Sequence, residues 1–506
     1  MNKLSKHINQ SSGYQIAKGT GWMMIFKLLD RSVGLVSTLI LARLLTPADF
    51  GLVAMAMAVV ALTQLMSAFG FDSALIQRQD ARKEHFDTAW TFNVIFGAVI
   101  AATLVVLAVP VANFYSDQRL MAVLLVLAAG AAVGGFENVG VVAFRKELDF
   151  RSEFRFLIFK RLANFLVTVV LAFSLRSYWA LVVGVVTGRL LSVWISYRIH
   201  PFRPQLSLAA RTDLMHFSKW IFLSNFIGFL GGKSTDFILG RTVGAHGLGV
   251  YTIAYEIATM PSTELIAPLN RAVFPAYAQL AAEPSQLREL FLKIFGIICL
   301  IGVPICGGLF AVADAAVRVV LGEQWLDTVP LIRMFALCGL VGALQSNMYL
   351  VIVAMGRPQA NTVLSAYILV ITLPIIIWAS LEHGVLGVAY ALLFQAVTSI
   401  TGITLVFKQN THIQLGSLWK VLWRPVICST LMVLFLHWFD NVLVTSHPSV
   451  FQWARLMAEC LVGSLFYIVS MWILWLVLGS PAGAESLVIN WVVKRAKGML
   501  RKSNVV

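Results

Sequence analysis

Gly21-Trp-Met-Met-Ile-Phe-Lys-Leu-Leu-Asp-Arg-Ser-Val-Gly-Leu-Val-Ser-Thr-Leu-Ile-Leu41 is as long as a membrane-spanning helix and apolar along most of its length, yet it carries Lys27, Asp30 and Arg31. A spanning helix needs about 20 mostly apolar residues, so the length fits. Wound at 100° per residue, Lys27, Asp30, Arg31, Gly34 and Thr38, with Thr20 above them, fall within about 100° of arc. Ionisable groups are costly in hydrocarbon, so a stripe of that width faces protein or water, and each of its charges is a candidate functional group.

The rest of the chain agrees with a membrane setting. Of 506 residues, 59% are hydrophobic and 12% charged, with mean hydropathy +0.81. Soluble domains carry roughly twice that share of charge. A water-soluble enzyme and a disordered chain are both excluded. The net charge of +15 sits in short loops and is not gathered on one basic face, which argues against nucleic acid. Cys299, Cys306, Cys338, Cys428 and Cys460 lie in apolar stretches without CxxC or His neighbours and read as small buried hydrophobes. The polar first 20 residues predict no cleavable signal peptide.

Scanning for apolar runs predicts an all-α polytopic protein of about fourteen spans: 18–42, 50–75, 88–115, 120–144, 155–175, 178–199, 217–240, 248–274, 288–311, 329–354, 362–380, 385–407, 420–438 and 456–479. The predicted layout is an N-terminal tail (1–17), an N-lobe of six helices (18–200), a linker (201–216), a C-lobe of six helices (217–410), two further helices (411–480) and a basic tail (481–506). With both termini cytoplasmic, 25 of the 39 Lys and Arg fall on the cytoplasmic side, 7 on the other side and 7 within spans. That asymmetry obeys the positive-inside rule.

A shift of 198 residues exposes a repeat. Ala42-Arg-Leu-Leu-Thr-Pro-Ala-Asp-Phe-Gly51 then faces Gly240-Arg-Thr-Val-Gly-Ala-His-Gly-Leu-Gly249, aligning Arg43 with Arg241, Gly51 with Gly249 and, upstream, Trp22 with Trp220. Two repeated bundles of this kind place a transport pathway at their interface.

Polar groups concentrate in the leading helices. The seventh span carries Ser218, Asn225, Gly228, Gly232 and Asp236 with Lys233 at the margin. The eighth adds Thr252, Glu256, Thr259, Thr263, Asn270 and Arg271 with Glu264 beside them, and smaller contributions come from Glu137, Lys160, Arg161, Asn164 and Arg189. Lys27–Asp30 and Lys233–Asp236 can equally be i,i+3 ion pairs that hold helices in register. Arg31, Arg161, Arg189 and Arg271 have no close acid on their own helix, and an unpaired guanidinium suits a phosphate or carboxylate ligand. Lys160 and Arg161 near a helix end can instead snorkel to lipid phosphates. No GxxxxGK[ST], HExxH, GxSxG or His/Cys cluster occurs, so no cofactor or metal is expected, and the drive comes from an ion gradient or the cargo's own gradient.

Fourteen spans in two related halves, the Ala42–Gly51 segment, Ala74-Leu-Ile-Gln-Arg-Gln79, Phe144-Arg-Lys-Glu-Leu-Asp-Phe-Arg151, Val273-Phe-Pro-Ala276 and Ala354-Met-Gly-Arg-Pro358 together resemble the bacterial polysaccharide transport family, within it the Wzx-type exporters for colanic acid and related exopolysaccharides. The resemblance covers about residues 15–480. It implies the fold of the multidrug and oligosaccharidyl-lipid exporters, two six-helix lobes in a V with two added C-terminal helices. The implied function is a flippase that moves undecaprenyl-diphosphate-linked oligosaccharide across the bacterial inner membrane by alternating access, alongside polysaccharide polymerase and export machinery. It further implies cavity cations for the anionic cargo, here Lys27, Arg31, Lys233 and Arg271, of which Arg31 and Arg271 are the leading candidates, with Arg161 and Arg189 supplementing them. Asp30, Asp236, Glu256 and Glu264 are expected to couple a cation (H+ or Na+) or to balance the positive charge. A multidrug or lipid II exporter is the alternative within the superfamily. A membrane glycosyltransferase or polymerase is the alternative of another class, and the loops at 312–328 and 439–455 are short for it.

Overall fold

The computed structural model describes residues 2–67, 75–76, 78, 80–211, 219–411, 413–446, 452–481, 483 and 485–486, and it is all helix and turn over that range. The predicted side chains Thr20, Ser218, Trp220 and Asn225, and the basic tail from Lys494 onward, lie outside the described residues.

The first unit spans residues 1–249. It contains α1 (Asn2–Leu44), α2 (Pro47–Gln64), α3 (Lys83–Tyr115), α4 (Arg119–Gly134) with the short α5 (Val142–Lys146), α6 (Phe150–Leu175), α7 (Trp179–Ile199) and α8 (Lys219–Thr242). The second, residues 250–506, contains most of α9 (Gly244–Pro261), then α10 (Ala267–Gln279), α11 (Pro284–Ala316), α12 (Thr328–Ala354), α13 (Pro358–Thr411), α14 (Leu415–Ser446) and α15 (Gln452–Val477). Among the described residues nine helices are long and apolar enough to cross a membrane, and the bent pair Arg119–Gly134 and Val139–Lys146 makes a tenth. Gly384, with φ 59° and ψ −140°, splits the 54-residue α13 into two spans. The polar-striped α1, α8 and α9–α10 complete fourteen; their stripes are what keep them below an apolarity threshold. The predicted all-helical class and count of fourteen spans are therefore the observed ones.

Three of the segments that carried the family resemblance, Ala42–Gly51, Phe144–Arg151 and Ala354–Pro358, are punctuation between helices. In Leu45-Thr-Pro-Ala-Asp49, Asp49 Oδ2 accepts from Thr46 N (2.9 Å) while Thr46 Oγ1 accepts from Asp49 N (3.4 Å), and Pro47 supplies the preset φ of a first helical residue. The second oxygen of Asp49 accepts from Tyr178 N (3.0 Å), tying the α6–α7 turn to the start of α2. Asp149 caps α6 through Ser152 N (3.2 Å), and Gly356 (φ 75°) turns the chain ahead of Pro358.

Residues 201–210 of the predicted linker (201–216) are laid along α3. Asp87 Oδ1 accepts from Gln205 N (2.9 Å), Thr91 Oγ1 from Ser207 N (2.9 Å) and Thr88 Oγ1 from Ala210 N (3.2 Å). His200 anchors its start: Nδ1 accepts from Phe202 N (3.1 Å), and the ring meets Phe144 edge-on at 5.1 Å. Burial pushes the imidazole pKa below its ordinary value, with Glu147 opposing and Arg203 reinforcing the shift. A depressed histidine contributes stability that is full above the unfolded-state value of about 6.5 and is lost as pH falls through the folded one. Thermal midpoints in detergent are accordingly expected to fall on acidification from pH 7.5 to 5, and His200→Gln should flatten part of that decline; identical pH profiles would remove His200 from the account.

In the second unit the helix predicted as 248–274 does not run straight. After Pro261 it passes through one π-helical turn, Ser262–Ile266, before α10 resumes, and Ser262 Oγ donates to Gly339 O (2.8 Å) on α12. Asn270, Asn347 and Tyr277 form a buried chain: Asn347 Nδ2 donates to Asn270 Oδ1 (2.9 Å) and Tyr277 OH to Asn347 Oδ1 (3.2 Å). Phe291, Phe295 and Phe407 fill the core around it, and an entirely satisfied polar chain of this kind fixes how α10 and α12 register. Among the cysteines, Cys299, Cys306 and Cys428 are buried as expected; Cys338 is half-buried and Cys460 is exposed, on helix faces that the membrane-apolar sequence could not distinguish.

Candidate functional site

Three helices of the first unit and the α4–α5 connection converge on a cavity of about 330 Å³. α1 contributes Phe26 and Asp30, the α4–α5 connection Glu137, α6 Lys160, Arg161 and Asn164, and α7 Arg189 and Ser192. Two glycines make room for the long side chains. A Cβ on Gly34 would lie 2.6 Å from Arg161 Nη2, and one on Gly188 would lie 2.7 Å from Asn164 Oδ1.

Two of the three cations are neutralised across helices. Arg161 Nε lies 2.8 Å from Asp30 Oδ1, and its Nη2 donates to the Asp30 carbonyl (3.2 Å). Lys160 Nζ donates to Glu137 Oε2 (3.3 Å), which also accepts from Ser192 Oγ (2.6 Å). These pairings correct the sequence reading in two places. Asp30 turns to α6 instead of to Lys27 on its own helix, and Arg161 is locked inside the bundle instead of snorkelling. Cross-helix geometry decided both, and it is invisible in a one-helix projection.

Arg189 is different. It is half-buried, lines the cavity, and makes neither an ion pair nor a hydrogen bond with any described residue. It is the eleventh of the 21 residues of α7, ten from each end, which places it about 15 Å from either terminus at 1.5 Å per residue. The cavity thus holds Lys160, Arg161 and Arg189 against Asp30 and Glu137, one positive charge in excess. Asn164 Oδ1 beside them is buried without a donor. Such a site can hold an anion through a planar, bidentate donor.

The remaining candidates are placed elsewhere. Lys27 is exposed and Arg31 half-buried on α1, neither among the cavity-lining residues. Lys233 and Asp236 form the i,i+3 pair on α8 (2.7 Å), as the register-holding reading anticipates. Arg271, in the second unit, is exposed and donates Nε to Ala267 O (3.3 Å) on its own helix; Glu256 and Glu264 are half-buried in that unit. Sequence reasoning missed Ser192, although its i,i+3 spacing from Arg189 put it on the same face of α7.

The sequence profile of the family described as "Polysaccharide biosynthesis protein" matches residues 40–330. The chain belongs to that family. It is 26% identical over 460 residues to "Teichuronic acid biosynthesis protein TuaB" of Bacillus subtilis, covering 90% of this chain and 94% of that one. It is 25% identical over 424 residues to "Lipopolysaccharide biosynthesis protein WzxC" of Escherichia coli, covering 81% and 85%. Among solved structures it is similar to "Lipid II flippase MurJ, inward closed conformation" (TM-score 0.72, 12% identity, 90% of this chain and 99% of that one). An inward-facing multidrug resistance MATE family transporter of the MOP superfamily also matches, with TM-score 0.59, 16% identity, and 76% and 94% covered. At these identities the two structures speak for the fold, and the family member is a multi-pass membrane protein.

Proposed function

We propose that this polysaccharide biosynthesis protein is a flippase for a lipid-linked oligosaccharide. The observation that carries the reading is Arg189, a guanidinium without a carboxylate partner at mid-helix in a polar cavity of a membrane protein. Holding an unpaired charge there is expensive unless an anion visits it. An undecaprenyl diphosphate or acidic sugar has that charge, and the polyprenyl tail can stay in lipid while the polar part crosses. The likeness to TuaB, WzxC and a MurJ fold supports this cargo class and a transport role in place of an enzymatic one. The Lys and Arg asymmetry supports an inner-membrane protein with both termini cytoplasmic. Lys27, Arg31, Lys233 and Arg271 serve as further cationic contacts along the path. Asp30, Asp236, Glu256 and Glu264 serve as charge balance or as sites for a coupling H+ or Na+, with Asp30 exchanging between Arg161 and that cation.

The test is a deletion in the source bacterium with lipid extraction. Loss of surface polysaccharide, accumulation of an undecaprenyl-diphosphate-linked oligosaccharide, and reversal of both by the wild-type gene are the expected results. A deletion that leaves the lipid-linked pool unchanged and instead sensitises cells to cationic drugs would refute the assignment.

A further inference from the structure

A second cavity, far larger at about 910 Å³, lies in the second unit between the first halves of α11 and α14 and the segment that follows α15. The beginning of α11, the beginning of α14 and the end of α15 meet around this cavity, which in the topology read from the sequence puts it at the headgroup level of the cytoplasmic side. Its polar wall carries Arg288, Lys293, Lys420 and Arg424 against Glu289 and Glu485, an excess of two positive charges.

These cations are held differently. Lys293 is spent on Glu289 (2.5 Å), one turn away on α11. Arg424 and Glu485 are each only 9% exposed and lie 2.9 Å apart, yet Arg424 Nη1 has no aligned hydrogen-bond acceptor. Arg288 donates Nη2 to Ser417 Oγ (3.1 Å), which pins the guanidinium without neutralising it. Lys420 is exposed and makes no ion pair with a described residue. Below this wall the lining is apolar: Leu292, Gly296 and Leu300 descend along one face of α11, and Trp423, beside Arg424 on α14, also lines the cavity. Gly296 widens the descent, since no side chain leaves it.

We infer that this cavity is a binding site for an anionic glycerophospholipid of the bilayer, with Arg288 and Lys420, the two cations its carboxylates leave unmatched, around the phosphate and the apolar face of α11 under an acyl chain. A cationic wall over an apolar floor at the headgroup level fits an amphiphile with a phosphate, and basic recesses between transmembrane helices are known to take acidic headgroups. Tryptophan at the same level is the usual companion of headgroups. A free phosphate would leave the apolar floor exposed, and a zwitterionic lipid would leave the charge excess unanswered. The consequence is structural: a lipid here cements α14 and α15, the helices beyond the twelve of the two bundles, to α11.

The purified full chain tests this by native mass spectrometry after exposure to phosphatidylglycerol and, separately, phosphatidylcholine. Wild-type protein is expected to retain phosphatidylglycerol in preference to phosphatidylcholine, and Arg288→Ala/Lys420→Ala should lose about tenfold or more of that preference while its lipid-free thermal midpoint is unchanged. Both side chains are at the surface, so the variant should fold, and Lys420→Glu alone should move retention in the same direction. Equal retention of both lipids, unchanged retention by the variants, or displacement of phosphatidylglycerol by equimolar inorganic phosphate or undecaprenyl diphosphate would each overturn the inference. None of these readouts depends on transport.

Discussion

Arg189→Ala is expected to lower polysaccharide export by about tenfold to a hundredfold while the protein accumulates normally in the membrane. A hydrogen bond to a charged group contributes ~1.5–3 kcal/mol, and each ~1.4 kcal/mol is a factor of ten. The variant should also be at least as thermostable as the wild type. Arg189 has no carboxylate partner to leave behind, so its removal relieves a desolvation penalty without exposing a counter-charge. Arg161→Ala behaves otherwise: it strands Asp30, so export and thermal midpoint should fall together. Arg189→Lys keeps the charge but loses the planar fork, and an intermediate export level is expected. Surface polysaccharide yield and detergent melting curves on the three variants provide the check. Normal export from Arg189→Ala at normal abundance would take this residue out of the transport path.

Gly51→Val and Gly249→Val should each cost ~2 kcal/mol or more and reduce the monodisperse fraction on size exclusion. A Cβ on Gly51 would overlap the carbonyl oxygen of Ala245, and one on Gly249 would overlap the carbonyl oxygen of Pro47. Backbone cannot yield as a flexible side chain does. The arrangement is reciprocal in the repeat numbering: Pro47 plus 198 is Ala245, and Gly51 plus 198 is Gly249. Equivalent positions of the two repeat copies therefore cross at their glycines, the small-residue route to close helix approach in a membrane. Because both glycines serve one contact, the Gly51→Val/Gly249→Val double variant should be less damaging than the sum of the singles. Additive losses would show two independent sites and sink the idea of a shared crossing.

The arginine and the glycine pair differ in how visible they were. Gly51 and Gly249 aligned in the repeat, so a special role could be read before any coordinates existed, but their mutual contact could not. Arg189 stood out as an ionisable residue at mid-span, yet it had no visible advantage over Arg31, Arg161 or Arg271. The distinction came from partners. Asp30 sits 131 positions before Arg161, and Glu137 is 55 before Ser192, separations at which linear reading carries no pairing information. The π-helical turn at Ser262–Ile266 was similarly hidden: Pro261 and Pro268 announce an irregular helix without saying how its backbone groups are satisfied.

What the linear chain determined by itself was the membrane setting and the number of spans. Those follow from transfer of apolar residues out of water and from local backbone chemistry, both of which act within a few neighbouring residues. Beyond i,i+3 pairs such as Lys233–Asp236, tertiary structure decided which charges cancel between helices and which remain, because Coulombic pairing depends on distance through space. Asp30 could neutralise only one cation; helix packing gave it to Arg161 and left Arg189 facing the cavity.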